Sequence, residues 1–209
     1  RFATPLLRAL GVPAMSETAP QPAWFAVGDK LVWPLIGMGV STARGHDLND
    51  PDIGPLAELA ICHHAGCIEA SMYANRQGKH SAAICLIRQS VEALSIAEIG
   101  LQTPEFALPL LASWKEGRKS HGQLRQALER EIWPDYGSGL WDEPWAEFYG
   151  NLARAVQPYA HYTSELQGWQ FQTVSYDGGK EFTAKFGLET YDPLQATRVT
   201  LFHMLLTYM

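Results

Sequence analysis

Between Gly54 and Asn75 the only charged residues are Glu58 and Glu69, and apolar side chains run nearly all round a helical projection. A helix of that kind belongs in the centre of a bundle. Gln77-Gly78-Lys79 breaks the pattern. Over Lys79–Leu101 it resumes, with Ile84, Ile87, Val91 and Leu94 at 3/4 spacing, which predicts a second long helix antiparallel to the first. Leu31–Val40 is apolar but carries Pro34, Gly37 and Gly39, so a short broken helix is expected there. Glu105–Trp114 reads as a short helix and Lys115–Arg130 as a charged one, and Trp141–Ser164 reads as one long helix. That last helix has a core face of Trp145, Phe148, Leu152 and Val156, a cap at Asp142 and a kink at Pro158.

After Gly168 the period changes to two. Trp169, Phe171, Thr173 and Ser175 alternate with polar residues, Asp177-Gly178-Gly179 turns, and Phe182, Ala184 and Phe186 alternate again. This predicts a β-hairpin with its aromatics on one face, and because an isolated hairpin is marginal that face should rest on the bundle or on another subunit. Asp192-Pro193-Leu194-Gln195 is a strong helix start, with Asp at N-cap, Pro at N1 and Gln at N3, and the last helix runs to Met209. His46–Pro55 and Pro134–Pro144 are loops by composition. The expected fold is therefore mainly α: an extended N-terminal segment (1–30), an antiparallel helical bundle (31–168), and a C-terminal β-hairpin plus last helix packed on the bundle (169–209).

Composition narrows the picture. With 46% hydrophobic and 18% charged residues, and seven Trp, the chain can bury a large core or an apolar partner interface, and an obligate homodimer is expected. A net charge of −6 argues against coating nucleic acid by charge alone but leaves room for a local basic groove. Cys62, Cys67 and Cys85 lie in helix-like apolar stretches, an arrangement that suits a reducing cytoplasm without a disulfide framework. No apolar run reaches the ~18 residues of a membrane span. Residues 1–14 make a poor signal peptide because Arg8 interrupts their apolar run, and Met15-Ser16-Glu17 resembles a natural start.

Candidate chemistry is sparse. His63 and Cys67 stand i,i+4, but two ligands on one helix do not close a zinc site, so no metal and no cofactor are expected. Arg88 and Glu92 stand one turn apart in an apolar stretch and read as a largely buried ion pair that ties helices together. Lys115–Arg130 is the one basic stretch, with Arg118, Lys119 and Arg125 in it, and reads either as a solvated face or as a rim that tracks phosphates. Arg154 and His161 are seven residues apart, which on a continuous helix puts them on one face about 10.5 Å apart. A guanidinium there binds phosphate and an imidazole moves a proton near neutral pH. Tyr159 and Tyr162 beside them can stack on a base or simply pack at the helix end.

Three features in order resemble the HEPN superfamily of helical-bundle proteins: LIRQSVEAL (86–94), the Trp114 segment that leads into a charged helix, and RAVQPYAHYTS (154–164). The resemblance covers roughly residues 54–165. It implies a HEPN-like bundle in which Arg154 and His161 are the catalytic pair of a metal-independent ribonuclease of toxin or defence type. Tyr159, Tyr162, Arg118, Lys119 and Arg125 would hold the RNA, and a second protomer or a cognate antitoxin would be the partner. In the nuclease branch four to six residues separate Arg from His, and six do so here; the residue after Arg is commonly polar, whereas here it is Ala155. The other reading is a non-catalytic interaction module of the same fold, with both residues structural.

Overall fold

In a computed structural model the chain is mainly α-helical. The structure describes residues 25–46, 48–176, 179–184 and 191–209, with backbone alone over the strand residues. Among these residues lie eight α-helices: α1 (Phe25–Arg44), α2 (Leu56–Arg76), α3 (His80–Gly100), α4 (Pro104–Lys115), α5 (His121–Glu131), α6 (Trp145–Val156), α7 (Ser164–Gly168) and α8 (Pro193–Tyr208). Short 3₁₀ turns follow α5 at Trp133–Asp135 and α6 at Gln157–Ala160. The expectations for residues 1–24 fall outside the described residues.

Helices α2 and α3 form the central hairpin, and the other helices pack around it. Ile68, Ile84, Ile87 and Ile99 are fully enclosed in one core with Leu111, Leu124, Leu128, Trp133 and Tyr149. The two long helices turn sharply because Gly78 adopts φ +76°, which a side chain would disfavour. The Lys79 N–H then reaches the Ala74 carbonyl and the Gly78 N–H that of Asn75, so the last carbonyls of α2 are satisfied.

A buried polar chain fixes α8 on this hairpin. Ser71 donates its hydroxyl to the Ala83 carbonyl (2.8 Å), so the 2.7 Å contact with His203 must have the imidazole Nε2 as donor. Asn75 donates to the Ala196 carbonyl and to Thr200, and its own carbonyl accepts from His80 Nδ1 at 2.7 Å. His80 Nε2 in turn accepts from the Asp192 N–H at 3.0 Å. Asp192 caps α8 through Leu194 and Gln195, with Pro193 at the first position, as its sequence signals.

Three expectations change. Helix α1 is continuous across Pro34 rather than short and broken. Buried residues on both sides of the proline, Val32 and Ile36, hold it together, and Lys30, whose carbonyl cannot accept from Pro34, is exposed. The stretch 141–164 is three pieces rather than one helix. Asp142, at φ +63°, is not its cap; Pro144 holds that position without a side-chain bond. Pro158 cannot donate to the Arg154 carbonyl, which instead accepts from Gln157 in a 3₁₀ step, and His161 follows with extended backbone.

Phe171–Tyr176 (β1) and Gly179–Ala184 (β2) pair antiparallel, with Phe171 opposite Ala184 and Tyr176 opposite Gly179. The joining residues 177–178 and the strand side chains, and with them the expected aromatic face, lie outside what is described. Among the described residues no helix is long and apolar enough to cross a membrane.

Candidate functional site

A cleft of about 840 Å³ opens between α3, the α4–α5 link and the segment 157–166. From α3 come Arg88, Gln89 and Glu92. Their positions in LIRQSVEAL turn them away from Ile87, which faces the core. The α4–α5 link is fixed by Gly117 at φ +74°, which lets Arg118 N–H and Gly117 N–H close on the carbonyls of Ser113 and Trp114. Helix α5 then starts with a reciprocal cap between Ser120 and Gln123. This places Lys119, His121 and Arg125 on the cleft wall, with the N-terminal turn of α5 opening onto it.

The third wall is the segment that Pro158 redirects. Thr163 donates to the Pro158 carbonyl (2.7 Å) and caps α7 at Leu166 N–H, folding 157–163 into a compact corner. Trp169 Nε1 donates to the Tyr159 hydroxyl at 3.2 Å, with the two rings edge-on. Tyr159, His161 and Tyr162 all line the cleft, and His161 and Tyr162 are exposed there.

Arg88 and Glu92 do pair, at 2.6 Å, but both belong to α3, so the pair does not tie two helices together. Arg88 is mostly covered while Glu92 is nearly one third exposed, and the guanidinium Nε is buried without a partner. The basic stretch splits by charge pairing. Lys115 pairs with Asp52, Arg118 with Glu116 and Arg130 with Glu131, all at the surface. Lys119 and Arg125 have no carboxylate partner among the described residues and face the cleft. The cleft thus holds three cations against the single carboxylate of Glu92, in a chain whose net charge is −6.

Arg154 is not part of this cleft. It is exposed on α6 and donates to Asn151 of its own helix at 2.7 Å. Because α6 ends at Val156, Arg154 and His161 do not share a helical face, and Arg118 likewise lies outside the cleft. No family model, curated protein or solved structure matches the chain.

Two residues that sequence reasoning left out enter the site. One is His121, whose ring stands edge-on to Trp114 at 5.6 Å and whose Nδ1 is buried without a hydrogen bond. The other is Arg88, whose place one turn before Glu92 in an apolar helix gives a structural ion pair from sequence, and which lines the cleft. Among the described residues no group of three or more His, Cys, Asp or Glu side chains comes together to hold a metal ion. Cys67 Sγ lies 3.5 Å from His63 Nε2, and burial raises the Cys67 and Cys85 thiols above their ordinary range.

Proposed function

We propose that the cleft binds a phosphodiester and that the protein is a metal-independent endoribonuclease of HEPN type, with His161 as its base. The observation that carries this reading is the gathering of Arg88, Lys119 and Arg125 with two imidazoles and two tyrosines in one open cleft. Three cations against one carboxylate in a concave, partly desolvated setting, with Lys119 and Arg125 lacking a carboxylate partner among the described residues, favour a multiply charged anion. In this reading His161 takes the proton of a ribose 2′-hydroxyl, whose oxygen bonds to the adjacent phosphorus. The bond from phosphorus to the 5′-oxygen breaks, and His121 returns a proton to that leaving oxygen. Arg88 and Arg125 neutralise the charge that grows on the phosphoryl oxygens. The products are a 2′,3′-cyclic phosphate and a 5′-hydroxyl, so DNA, lacking the 2′-hydroxyl, is not cut.

Arg154 enters only through a homodimer that sets it beside the other copy's cleft. Val27, Leu31, Leu35 and Met38, a stripe of exposed apolar residues along α1, offer a face for such a contact. The test is incubation of the purified chain with single-stranded RNA in EDTA. Cyclic phosphate ends are expected, and they should be lost in His161→Ala and with a 2′-deoxy substrate. Intact RNA with wild-type protein would overturn the reading.

A second reading is a non-catalytic interaction module. It is favoured by the separation of Arg154 from His161 within the chain and by Ala155, where the resembled family commonly has a polar residue. Under it, RNA binds or not but stays intact.

A further inference from the structure

A second cavity of about 450 Å³ adjoins the cleft, within the range of ligand pockets. Gln89, Glu92, Trp114 and His121 line both, so these four stand at the border between the two spaces. The two sides differ in chemistry. All three cations lie on the cleft side. The second cavity has no Lys or Arg; it is floored by Leu56, Leu59, Ala60, Ala93 and Ile96, with Glu92 as its one carboxylate.

Such a space repels phosphate and accepts a flat apolar group that carries N–H donors. Trp114 is half-buried, packs against His121 in an edge-to-face contact and lines the cavity, which gives it an aromatic wall. Glu92 is nearly one third exposed and, with Oε1 held by Arg88, has its other oxygen to accept hydrogen bonds, and Gln89 and His63 add further polar groups around the cavity.

We propose that the second cavity is a nucleobase subsite: the phosphate of a ribonucleotide sits at Arg88, Lys119 and Arg125, and its base enters the apolar cavity against Trp114. This inference rests on the phosphate reading of the cleft and adds base recognition to it. Base–aromatic stacking is tolerant of sequence, while the carboxylate selects bases that offer N–H donors. The cleavage chemistry then lies between His161 and His121, with the recognised base just beyond His121.

The test is calorimetric titration of the full chain with guanosine 5′-monophosphate, ribose 5-phosphate and inorganic phosphate. The guanine base presents adjacent N–H donors to a carboxylate. Guanosine monophosphate is expected to bind at least tenfold more tightly than ribose 5-phosphate. Trp114→Leu should remove that difference and be largely rescued by Trp114→Phe. If Trp114→Leu fails to fold, Leu59→Gln, at an exposed position of α2, should weaken guanosine monophosphate severalfold and ribose 5-phosphate not at all. Equal binding of the two by wild type would overturn the base subsite and leave the phosphate cleft standing. Binding of none of the three ligands would overturn the phosphate reading and this inference with it.

Discussion

The same side chain does opposite things in two regions of this molecule. Around α2, α3 and α8 the imidazoles of His64, His80 and His203 are buried, each with a fixed partner: Ser90, the Asn75–Asp192 bridge and Ser71. Burial pulls their pKa values down, to about 4, about 4 and about 3, so they stay neutral and act as hydrogen-bond joints. In the cleft, His161 is exposed on an extended segment, and His121 has a buried Nδ1 without a hydrogen bond, beside Lys119 and Arg125, which have no carboxylate partner among the described residues. Partners already supplied by the fold make a histidine structural; partners left open beside unpaired cations leave it available for a ligand. The Ser71–His203 pair makes the point sharply. It has the reach of a nucleophile and its base, but the serine proton is committed to a backbone carbonyl and the pair is sealed from solvent.

The widest separation between the regions should appear in His161→Ala. Cleavage of RNA should fall at least 100-fold, the usual scale for loss of a general base, while the melting temperature holds. A large drop in melting temperature would move His161 into the structural class. Acid should act on the other region. The unfolded chain protonates these three histidines near the ordinary value of about 6.5, whereas the folded chain does so only near 3 to 4. Their contribution to stability is therefore complete above about pH 6.5 and lost as pH falls through that window, by about 1.4 kcal/mol per pH unit for each histidine. Denaturant midpoints that are flat from pH 7 to 4 would show that the interior imidazoles are already charged or wet.

Asn75→Ala should cost about 2–4 kcal/mol in chemical denaturation, because it strands His80 Nδ1–H at the centre of the buried chain. Cleavage per folded molecule should not change. Arg88→Ala should weaken phosphate binding about tenfold, since a charge-assisted bond is worth roughly 1.5–3 kcal/mol, and should lower stability by no more than about 1–2 kcal/mol because Glu92 stays in contact with water. The smallest effect is expected at Arg118→Ala. Its exposed pair with Glu116 lies outside the cleft, so stability should move by less than about 0.5 kcal/mol and phosphate binding not measurably.

The parts of the fold written in long periodic runs or in local cap chemistry were legible in the sequence. The α2–α3 hairpin follows from apolar spacing and from glycine at 78, and the start of α8 from Asp192-Pro193. Proline was harder to read, because its effect depends on what lies beyond it. Pro34 is spanned by buried Val32 and Ile36, and the helix survives. Beyond Pro158 no residue is fully buried until Leu166, so packing does not compensate for the lost hydrogen bond and the helix ends. That one difference moves His161 off the Arg154 face and into the cleft. The tyrosines, Lys119 and Arg125 line one cleft with His161 while Arg118 does not, and Arg88 and His121 come from other helices, so only tertiary packing brings them there.

The most direct test of the contrast is the imidazole ¹H–¹⁵N spectrum of the wild-type chain during titration with inorganic phosphate. The account predicts that the ring resonances of His161 and His121 shift and saturate, that those of His64, His80 and His203 stay fixed, and that Arg88→Ala weakens the response. Unmoved His161 and His121 signals, or shifts spread equally over the buried histidines, would contradict it.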